Sequence, residues 1–309
     1  MIVVFGSINV DLIARVARIP APGETLSGSS FVTAPGGKGA NQALAARRAG
    51  ANVALYGAVG HDSFAASALA NLDASGVRRE GVATVAASTG IALINVADRG
   101  ENAITVIPGA NALACAAQVP DNVLTPATTL LLQLEVPHVE VERLAQRAHE
   151  RGARVILNAA PAAALADALL RSLDVLLVNE HEGAMLAAEL RVAREPVAFA
   201  DAMRTRFATT AVITLGARGA LTTADGQCLS ATPPAVTVVD TTGAGDALAG
   251  AFAAALDRGA SLPRALAEGV AAGALACTRY GAQAALPDAA AIRAHAGQVE
   301  SAIDFSSTS

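Results

Sequence analysis

The sequence predicts an open α/β fold: a doubly wound, mostly parallel β-sheet flanked by helices. Short and nearly continuous hydrophobic runs recur along the chain, as expected of strands that are buried on both faces of a parallel sheet. Stretches rich in Ala and Leu separate these runs, which gives the β–α–β order of this class. Residues 1–309 show no internal repeat and no linker rich in Pro, Ser or charge, so we expect a single domain.

The individual elements follow from the same pattern. The candidate strands are Ile2–Phe5, Val53–Tyr56, Thr129–Leu134, Val155–Leu157, Val175–Val178 and Val212–Leu215. The candidate helices are Ala40–Ala49, Val139–Glu150, Pro196–Phe207 and Ala247–Asp257. The polar tail DFSSTS, residues 304–309, is expected to fray.

Two segments break the alternation. Residues from about Leu12 to Ala34 contain the turn signals of RIPAPGETLSG followed by the apolar FVT, and Thr89–Ile107 has the pattern of a β-hairpin with its turn at Asp98–Asn102. Together the segments 12–34 and 89–107 predict a small β-sheet lid that projects from the main domain. Edge strands of the main sheet are the alternative.

Composition limits the class of protein. Hydrophobic residues make up 53% of the chain and charged residues 16%, which is enough for a large core. No apolar stretch reaches the roughly 18 residues that span a bilayer, and MIVVFGSINVD lacks the basic start of a signal peptide, so no membrane association is expected. The three cysteines are scattered without CxxC spacing, which favours a reducing compartment and a cytoplasmic location.

Several functions are not indicated. A net charge of −5 without a basic cluster argues against nucleic acid as a partner. The five histidines have no paired zinc spacing. No Ser or Cys lies in a nucleophile elbow, so hydrolase chemistry has no visible nucleophile.

Polar residues gather where candidate strands end. Ligands of open α/β sheets bind beyond the carboxyl ends of the strands, so such residues outline a crevice, although turns favour the same residue types. These residues are Asn9, Asp11, Glu135, Asn179, Glu182 and the turn Thr214–Gly219.

The segment VVDTTGAGDALAG carries the strongest chemical signal. We expect a strand at Ala235–Asp240, then a loop, then a helix. Gly243 and Gly245 allow backbone N–H groups to converge, and the helix start adds donors and a positive dipole end, which predicts an anion hole for a phosphate. The segment has neither the third glycine of a dinucleotide fingerprint nor the Lys-Ser/Thr of a P-loop.

Asp246 lies inside this predicted anion hole. A carboxylate held beside a transferred phosphoryl group can take the proton of an attacking hydroxyl, so Asp246 is a candidate general base. An ordinary helix cap behind a tight turn is the alternative.

A second glycine-rich helix start is PGGKGANQALAARRAG, Pro35–Gly50. Its glycines allow the backbone to approach a small ligand, while Lys38 and Asn41 offer donors at the helix start. A glycine-rich helix entry without a ligand is the alternative.

Taken together, these segments resemble the ribokinase family of sugar kinases, also called the PfkB carbohydrate kinases, over nearly the full chain. The matching segments, in family order, are GSINVD, PAPGET, GGKGANQA, STGIA, GANA, QLEVP, VNEHE, ITLGARG, VVDTTGAGD and TRYGAQ. The resemblance implies an ATP-dependent kinase that phosphorylates the 5-hydroxyl of D-ribose, with Asp246 as base.

The resemblance also implies roles for the matching positions. The sugar-binding residues would be Asn9, Asp11, Gly37, Lys38, Asn41, Glu135 and Asp246. The ATP contacts would be Asn179, Thr214, Leu215, Gly216, Ala217, Arg218, Gly219, Gly245 and Asp246. The anion hole would be Gly243, Ala244 and Gly245.

Two metals are implied by the resemblance. Mg²⁺ would arrive with ATP, and Glu182 would organise it and the phosphates. K⁺, the expected monovalent activator, would lie at Asp240, Thr242, Ala276, Arg279, Gly281 and Ala285. Ala285 stands where the family often has Ser, so a side-chain ligand is lost there. The lid implies a homodimer in which two lids pair.

Two other functions stay open. One is a related kinase for another sugar or a nucleoside. The other is a sugar-binding regulator that has lost catalysis, although the intact GAGD loop with Asp246 argues against it.

Overall fold

The computed structural model describes residues 1–224 and 226–305. The strands are β1 (Ile2–Phe5), β2 (Asn9–Val16), β3 (Ser30–Gly36), β4 (Val53–Gly60), β5 (Arg78–Val85), β6 (Gly90–Ala97), β7 (Asn102–Ile107), β8 (Thr129–Leu132), β9 (Arg154–Asn158), β10 (Val175–Asn179), β11 (Thr210–Thr214), β12 (Ala220–Ala224), β13 (Gln227–Thr232) and β14 (Glu300–Phe305). The helices are α1 (Lys38–Arg48), α2 (Ser63–Ser75), α3 (His138–Glu150), α4 (Asp167–Arg171), α5 (Glu180–Leu190), α6 (Pro196–Phe207), α7 (Ala244–Asp257), α8 (Leu262–Ala276) and α9 (Ala289–Ala296).

The main sheet has the strand order β14-β13-β12-β11-β10-β9-β8-β1-β4-β5. The strands from β11 to β5 pair in parallel, whereas β12, β13 and β14 form an antiparallel edge. Each face of the sheet has its own hydrophobic core: Val4 of β1 belongs to the core beneath α1, α7 and α8, and Phe5 to the core beneath α3 and α6. This confirms the doubly wound, mostly parallel fold.

A separate four-stranded sheet, which we call the lid, has the order β3-β2-β6-β7. Its β6 and β7 pair antiparallel on either side of residues 98–101, as the hairpin pattern predicted. The sheet begins earlier than expected, because Asn9 and Asp11 already lie in β2. Both residues still follow the first strand, as the sequence indicated.

The predicted strand at Ala235–Asp240 does not form. Pro233 and Pro234 precede it and have no N–H to donate to a neighbouring strand. The segment is instead fixed by single hydrogen bonds, since the backbone N–H groups of Val239 and Asp240 both donate to the carbonyl O of Cys277, at 2.8 and 3.3 Å.

The chain end also differs from expectation. Asp304 and Phe305 belong to β14 and so do not fray, and residues 306–309 of the predicted tail lie outside the described residues. Across the described ranges, the helices are too short or too polar to cross a membrane.

Candidate active site

The two glycine-rich helix starts, those of α1 and α7, lie side by side. Gly250 of α7 makes the close approach possible, because a Cβ atom at this position would lie 2.5 Å from Cβ of Ala45 and 2.7 Å from the backbone N of Ala46. Gly39 similarly allows α1 to approach β1, since its Cβ would lie 2.5 Å from the carbonyl C of Gly6. These contacts bring residues 41 and 42 against residue 246.

Asp246 lies in the first turn of α7 and is 5% exposed. Its two carboxylate oxygens each accept a hydrogen bond from α1: Nδ2 of Asn41 donates to Oδ2 at 2.9 Å, and Nε2 of Gln42 donates to Oδ1 at 2.8 Å. Gly243, with φ of 78°, caps the helix, so Asp246 is not the N-cap residue. Asp246 is thus an oriented, nearly buried carboxylate rather than a simple cap.

The N-terminus of α7 faces open space. A Cβ atom at Gly245 would meet no other atom within 4 Å, and residues 243–246 line a cleft. The first N–H groups of a helix lack partners inside the helix, so they are available to an anion. The N–H of Ala244 is already used, because it donates to the carbonyl O of Thr241 at 3.2 Å. Among residues 244–246, the N–H groups of Gly245 and Asp246 therefore remain available to an anion.

Acidic and basic side chains surround this point. Asp11 on β2 is partly buried, and burial, followed by the charges of Glu135 and Asp246, raises its pKa to about 6. Lys38, the first residue of α1, has a raised pKa, chiefly because of the negative charge of Asp246 and also that of Glu135 and Glu182. Lys38 therefore stays protonated between the carboxylates.

Glu135 follows β8 and fixes the start of α1. Its Oε2 accepts hydrogen bonds from Oγ of Ser7 at 2.6 Å and from the backbone N–H of Lys38 at 3.0 Å. Oγ of Ser7 in turn accepts from the N–H of Gly39 at 3.2 Å. Gly37 adopts φ of 87° at this N-terminus, a backbone conformation that favours glycine. The glycine-rich entry is thus bonded to Glu135.

Asn9 is buried at the start of β2, where Nδ2 of Asn111 donates to its Oδ1 at 2.7 Å. Asn111 also bonds the backbone of Ile8, through Ile8 N–H to Oδ1 at 2.9 Å and Nδ2 to Ile8 O at 3.2 Å. The amide of Asn9 is therefore fixed with its oxygen toward Asn111 and its NH₂ group left to donate.

A cleft of about 940 Å³ ends at Lys38 and Asp246. The predicted nucleotide residues that line it are Asn179, Thr214, Gly216, Ala217, Gly219, Gly243, Ala244 and Gly245. Its apolar walls are formed by Val270 and by six residues for which the sequence did not suggest this role. These six are Leu177, Pro233, Val236, Val238, Ala274 and Cys277. Such a cleft, apolar with a polar end, fits a nucleotide base and its phosphates.

Two predicted nucleotide residues lie outside the lining. Leu215 closes the turn through its N–H, which donates to the carbonyl O of Gly219 at 2.8 Å. Arg218 forms an exposed ion pair with Glu180, with 2.5 Å between Nη2 and Oε1. These contacts do not place the side chain of Leu215 or that of Arg218 at the predicted anion hole.

Asn179 and Glu182 form a capping box at the start of α5. The N–H of Glu182 donates to Oδ1 of Asn179, and the N–H of Asn179 donates to Oε2 of Glu182, both at 2.8 Å. The carboxylate of Glu182 still contributes to the pKa of Lys38. It therefore lies near Lys38 while also capping the helix.

Mg²⁺ fits this arrangement as a companion of the nucleotide. No group of three or more His, Cys, Asp or Glu within residues 1–224 and 226–305 makes a metal cage. Mg²⁺ commonly takes one or two carboxylates, water and substrate phosphates instead. The carboxylates that line the cleft are Glu180, Glu182 and Asp246, of which Glu180 is paired with Arg218 and Asp246 is held by α1. Glu182 is therefore the candidate carboxylate for the ion.

Three of the residues expected around K⁺, which are Asp240, Thr242 and Gly281, are joined by hydrogen bonds. Oδ1 of Asp240 accepts from the N–H and Oγ1 of Thr242, at 2.9 and 2.7 Å, and Oδ2 accepts from the N–H of Gly281 at 2.9 Å. Burial raises the pKa of Asp240, but these bonds outweigh it and the pKa is lowered, so the carboxylate is ionised. An ionised carboxylate beside turn carbonyls suits a monovalent cation, although the carbonyl O of Gly281 already accepts from the N–H of Ala285 at 3.1 Å.

Several residues of the site were not predicted. Gln42 follows Asn41 directly in GANQ and holds Asp246, and its Oε1 accepts from Nε2 of Gln133 at 2.7 Å. Asn158 also accepts from Nε2 of Gln42, at 3.0 Å. The adjacency of Gln42 to Asn41 was one available signal. Gln133 and Asn111 lie in the matching segments QLEVP and GANA, but no role was assigned to either residue.

Comparison with known proteins bears on the whole chain. The model of the pfkB family carbohydrate kinases matches residues 1–289. The ribokinase of Haemophilus influenzae is 38% identical over 288 residues, which cover 92% of this chain and 94% of that protein. The crystal structure of a Thermotoga maritima ribokinase gives a TM-score of 0.88 at 32% identity and covers 95% of this chain and 98% of the other. The structure of Arabidopsis thaliana ribokinase complexed with ribose and ATP gives 0.85 at 29% identity, covering 96% and 98%. The chain belongs to the pfkB family of carbohydrate kinases.

Proposed function

We propose that this protein transfers the γ-phosphoryl group of ATP to the 5-hydroxyl of D-ribose, with Asp246 as general base. The observation that carries the proposal is the position of Asp246. It lies in the phosphate-facing turn of α7, yet both its carboxylate oxygens are held by α1, the helix of the other family signature. The relatives named ribokinase, and one complexed with ribose and ATP, support this substrate pair.

ATP would occupy the long cleft. Its base would contact the apolar wall, and its phosphates would point toward the N-terminus of α7. The N–H groups of Gly245 and Asp246 would bind the γ-phosphoryl oxygens, and their effect grows as negative charge develops during transfer. Lys38 adds a positive charge at the same place, because it stays protonated beside Asp246.

Ribose would lie between Asp246 and the lid. Asp11 and Glu135 offer carboxylate oxygens that accept hydrogen bonds from secondary hydroxyls, and Asn9 offers an NH₂ group to a hydroxyl oxygen. The 5-hydroxyl would then point to Asp246, which takes its proton as the oxygen attacks phosphorus in line. Gly37, Lys38 and Asn41 complete the sugar side at the start of α1.

Two cations complete the proposal. Mg²⁺ would bind the ATP phosphates with Glu182 nearby and would neutralise charge on the transferred group. K⁺ would lie beside the turn before α7, where the N–H of Gly281 already donates to the carboxylate of Asp240. The residues around it would be Asp240, Thr242, Ala276, Arg279, Gly281 and Ala285.

The lid supports a homodimer. One face of its sheet carries exposed apolar side chains, with Val32 at 53%, Ile104 at 54% and Val106 at 47% exposure. A second copy of the same sheet would cover this face. Scattered cysteines without CxxC spacing favour a reducing, cytoplasmic setting.

The deciding experiment measures ADP release with Mg·ATP and a panel of pentoses, hexoses and nucleosides. We expect the highest kcat/KM with D-ribose and identification of ribose 5-phosphate by NMR. A higher kcat/KM for another sugar or for a nucleoside would assign the site to a sibling kinase. Sugar binding by calorimetry without ADP release from any acceptor would instead identify a silent regulator.

A further inference from the structure

The segment TRYGAQ ends in Gln283, a residue to which the reaction above gives no role. Its side chain is 2% exposed. Nε2 of Gln283 donates to Oδ1 of Asn41 at 3.1 Å, and Oε1 of Gln283 accepts from Nδ2 of Asn71 on α2 at 3.0 Å. Gln283 thus lies directly behind the amide that holds Asp246.

These hydrogen bonds form a chain in which each amide donates to the next residue. Asn71 donates to Gln283, Gln283 donates to Asn41, and Asn41 donates to Asp246. An amide side chain can turn end over end with little change of shape, so its partners decide which end faces which way. If Asn41 turned, its oxygen would face the carboxylate of Asp246 and its NH₂ would face the NH₂ of Gln283.

The position of Gln283 is itself fixed. Nη1 of Arg48 donates to the carbonyl O of Gln283 at 2.9 Å and to that of Leu286 at 2.8 Å. Arg48 is on α1, the helix that also carries Asn41. The backbone of the C-terminal segment is therefore bonded to the same helix whose amide its side chain orients.

We infer that Gln283 is a positioning residue: it orients the amide of Asn41 so that Asn41 donates to the base Asp246. This rests on the proposed role of Asp246. The direction of these hydrogen bonds matters, because Gln283 must donate to Asn41 for Asn41 to donate to Asp246. A side chain at position 283 that can only accept hydrogen bonds should therefore lower kcat more than an apolar side chain of similar size.

The first test compares Gln283→Glu with Gln283→Met, assayed at pH 8.5. The introduced carboxylate has the shape of Gln but cannot donate, so Asn41 must turn toward it and present its oxygen to Asp246. We expect kcat to fall at least about tenfold, a fraction of what a general base contributes, with KM for ATP within about twofold. Gln283→Met leaves Asn41 held by Asp246, so kcat should stay within about threefold.

A packing role predicts the opposite order, because Glu matches the shape of Gln better than Met does. A kcat of Gln283→Glu equal to or above that of Gln283→Met would overturn the inference. Gln146→Glu, the same substitution on α3, is the control for the general effect of an added carboxylate. Its kcat should equal that of the wild type.

A second test covers the case in which Gln283→Glu does not fold. Asn71→Asp places its charge at a half-buried position of α2 and removes the donor to Oε1 of Gln283. Gln283 should turn its NH₂ outward and its oxygen toward Asn41, which we expect to lower kcat at least about threefold.

The same Asn71→Asp change should have no further effect on kcat in the Gln283→Met background, where the chain is already interrupted. An equal loss in both backgrounds would show that the effect does not pass through Gln283 and would overturn the inference.

The variant Asp246→Asn distinguishes failure of this inference from failure of the proposed function. If Asp246→Asn stays active the base assignment fails, whereas if it is inactive and the two tests above fail, only the role of Gln283 is lost.

Discussion

Asn41 and Asp246 are 205 residues apart in the chain, and Nδ2 of Asn41 donates to Oδ2 of Asp246 at 2.9 Å. Each belongs to a different glycine-rich helix start, Asn41 to α1 and Asp246 to α7. The bond therefore connects the segment assigned to the sugar with the segment assigned to the phosphate. The orientation of the base depends on how closely these two helices pack.

Asp246→Asn tests the base directly. The variant keeps the size of the side chain but cannot take a proton, so kcat should fall at least about 100-fold while the Kd for ribose, measured by calorimetry, changes less than about threefold. Asp73→Asn, which removes an exposed ion pair with Arg79, is the matched control and should leave kcat unchanged. A kcat for Asp246→Asn within tenfold of wild type would assign the proton transfer elsewhere.

Gly243→Ala and Gly245→Ala should separate stability from activity. At Gly243 the new Cβ would lie 2.9 Å from Cα of Ala282, and φ is +78°, so we expect the free energy of unfolding to fall by about 1–3 kcal/mol. At Gly245 no atom lies within 4 Å, so the fold should be unaffected.

The Cβ of Gly245→Ala would instead enter the space assigned to the phosphates and lower kcat/KM for ATP. Thermal melts and steady-state kinetics on both variants provide the check. Normal ATP kinetics in Gly245→Ala would place the anion hole away from this turn.

Asp11 should destabilise the ligand-free protein at neutral pH. Its pKa is 3.8 in the unfolded chain and about 6 in the folded protein, so the folded state binds more protons between these values. The free energy of unfolding then falls as pH rises from about 4 to about 6, and the full cost remains above that range.

Asp11→Asn removes this cost and should raise Tm by about 2 °C at pH 8, and by less at pH 5. The same variant should raise KM for ribose at least about tenfold, because the amide replaces a charged acceptor, and leave KM for ATP unchanged. An equal gain in Tm at both pH values would contradict the raised pKa. An unchanged KM for ribose would remove Asp11 from the sugar site.

The sequence predicted six of the seven parallel strands of the main sheet, because these strands are buried on both faces and read as continuous apolar runs. It missed the edge strand β5, whose side chains are exposed or half-buried. It predicted neither the antiparallel edge β12–β14 nor the extended segment Ala235–Asp240 correctly. In that segment Val238 is 60% exposed and lines the cleft, so the apolar residues of the segment form part of a cleft wall rather than a sheet. The spacing of apolar residues alone does not distinguish a strand from the wall of a cleft.

The residues of the candidate site likewise divide into those that the sequence indicated and those that it did not. Asp246 and Lys38 lie in glycine-rich motifs that have a chemical meaning of their own, and the sequence indicated both as candidate site residues. Gln42 and Gln283 lie in the matching segments GGKGANQA and TRYGAQ but were given no role, because the sequence does not show which partners a buried amide will meet. Only the packing of α1, α2, α7 and the C-terminal segment turns these amides into a connected chain. Long-range polar contacts of this kind are not encoded locally.

Ile104→Asp should dissociate the proposed dimer. Ile104 lies on the lid strand β7, on the face that also carries Val32 and Val106, and a charge within a lid–lid interface would be costly to bury. Light scattering at micromolar concentration should give a dimer mass for the wild type and a monomer mass for the variant. Leu113→Asp, at an exposed apolar residue outside the lid, is the control and should remain a dimer. A wild-type monomer would contradict the proposal.

Monovalent cations should act on kcat through Asp240. Its carboxylate already joins the turn before α7, through Thr242, to the C-terminal segment, through Gly281. A cation bound beside it would add fixed positive charge and rigidity next to the first-turn N–H groups of Gly245 and Asp246, where negative charge gathers during transfer. Its loss should therefore lower kcat much more than it raises KM for ribose.

Steady-state kinetics in K⁺, Na⁺ and tetramethylammonium buffers at matched ionic strength provide the measurement. We expect kcat to be highest in K⁺ and at least about tenfold lower in tetramethylammonium, which is too large for a site of carbonyl oxygens. Asp240→Ala should have a low kcat that no longer depends on the cation. Equal kcat of the wild type in all three buffers would mean that Thr242 and Gly281 hold the turn without an ion, and Ala285, which supplies no side-chain ligand, would be the residue to replace with Ser.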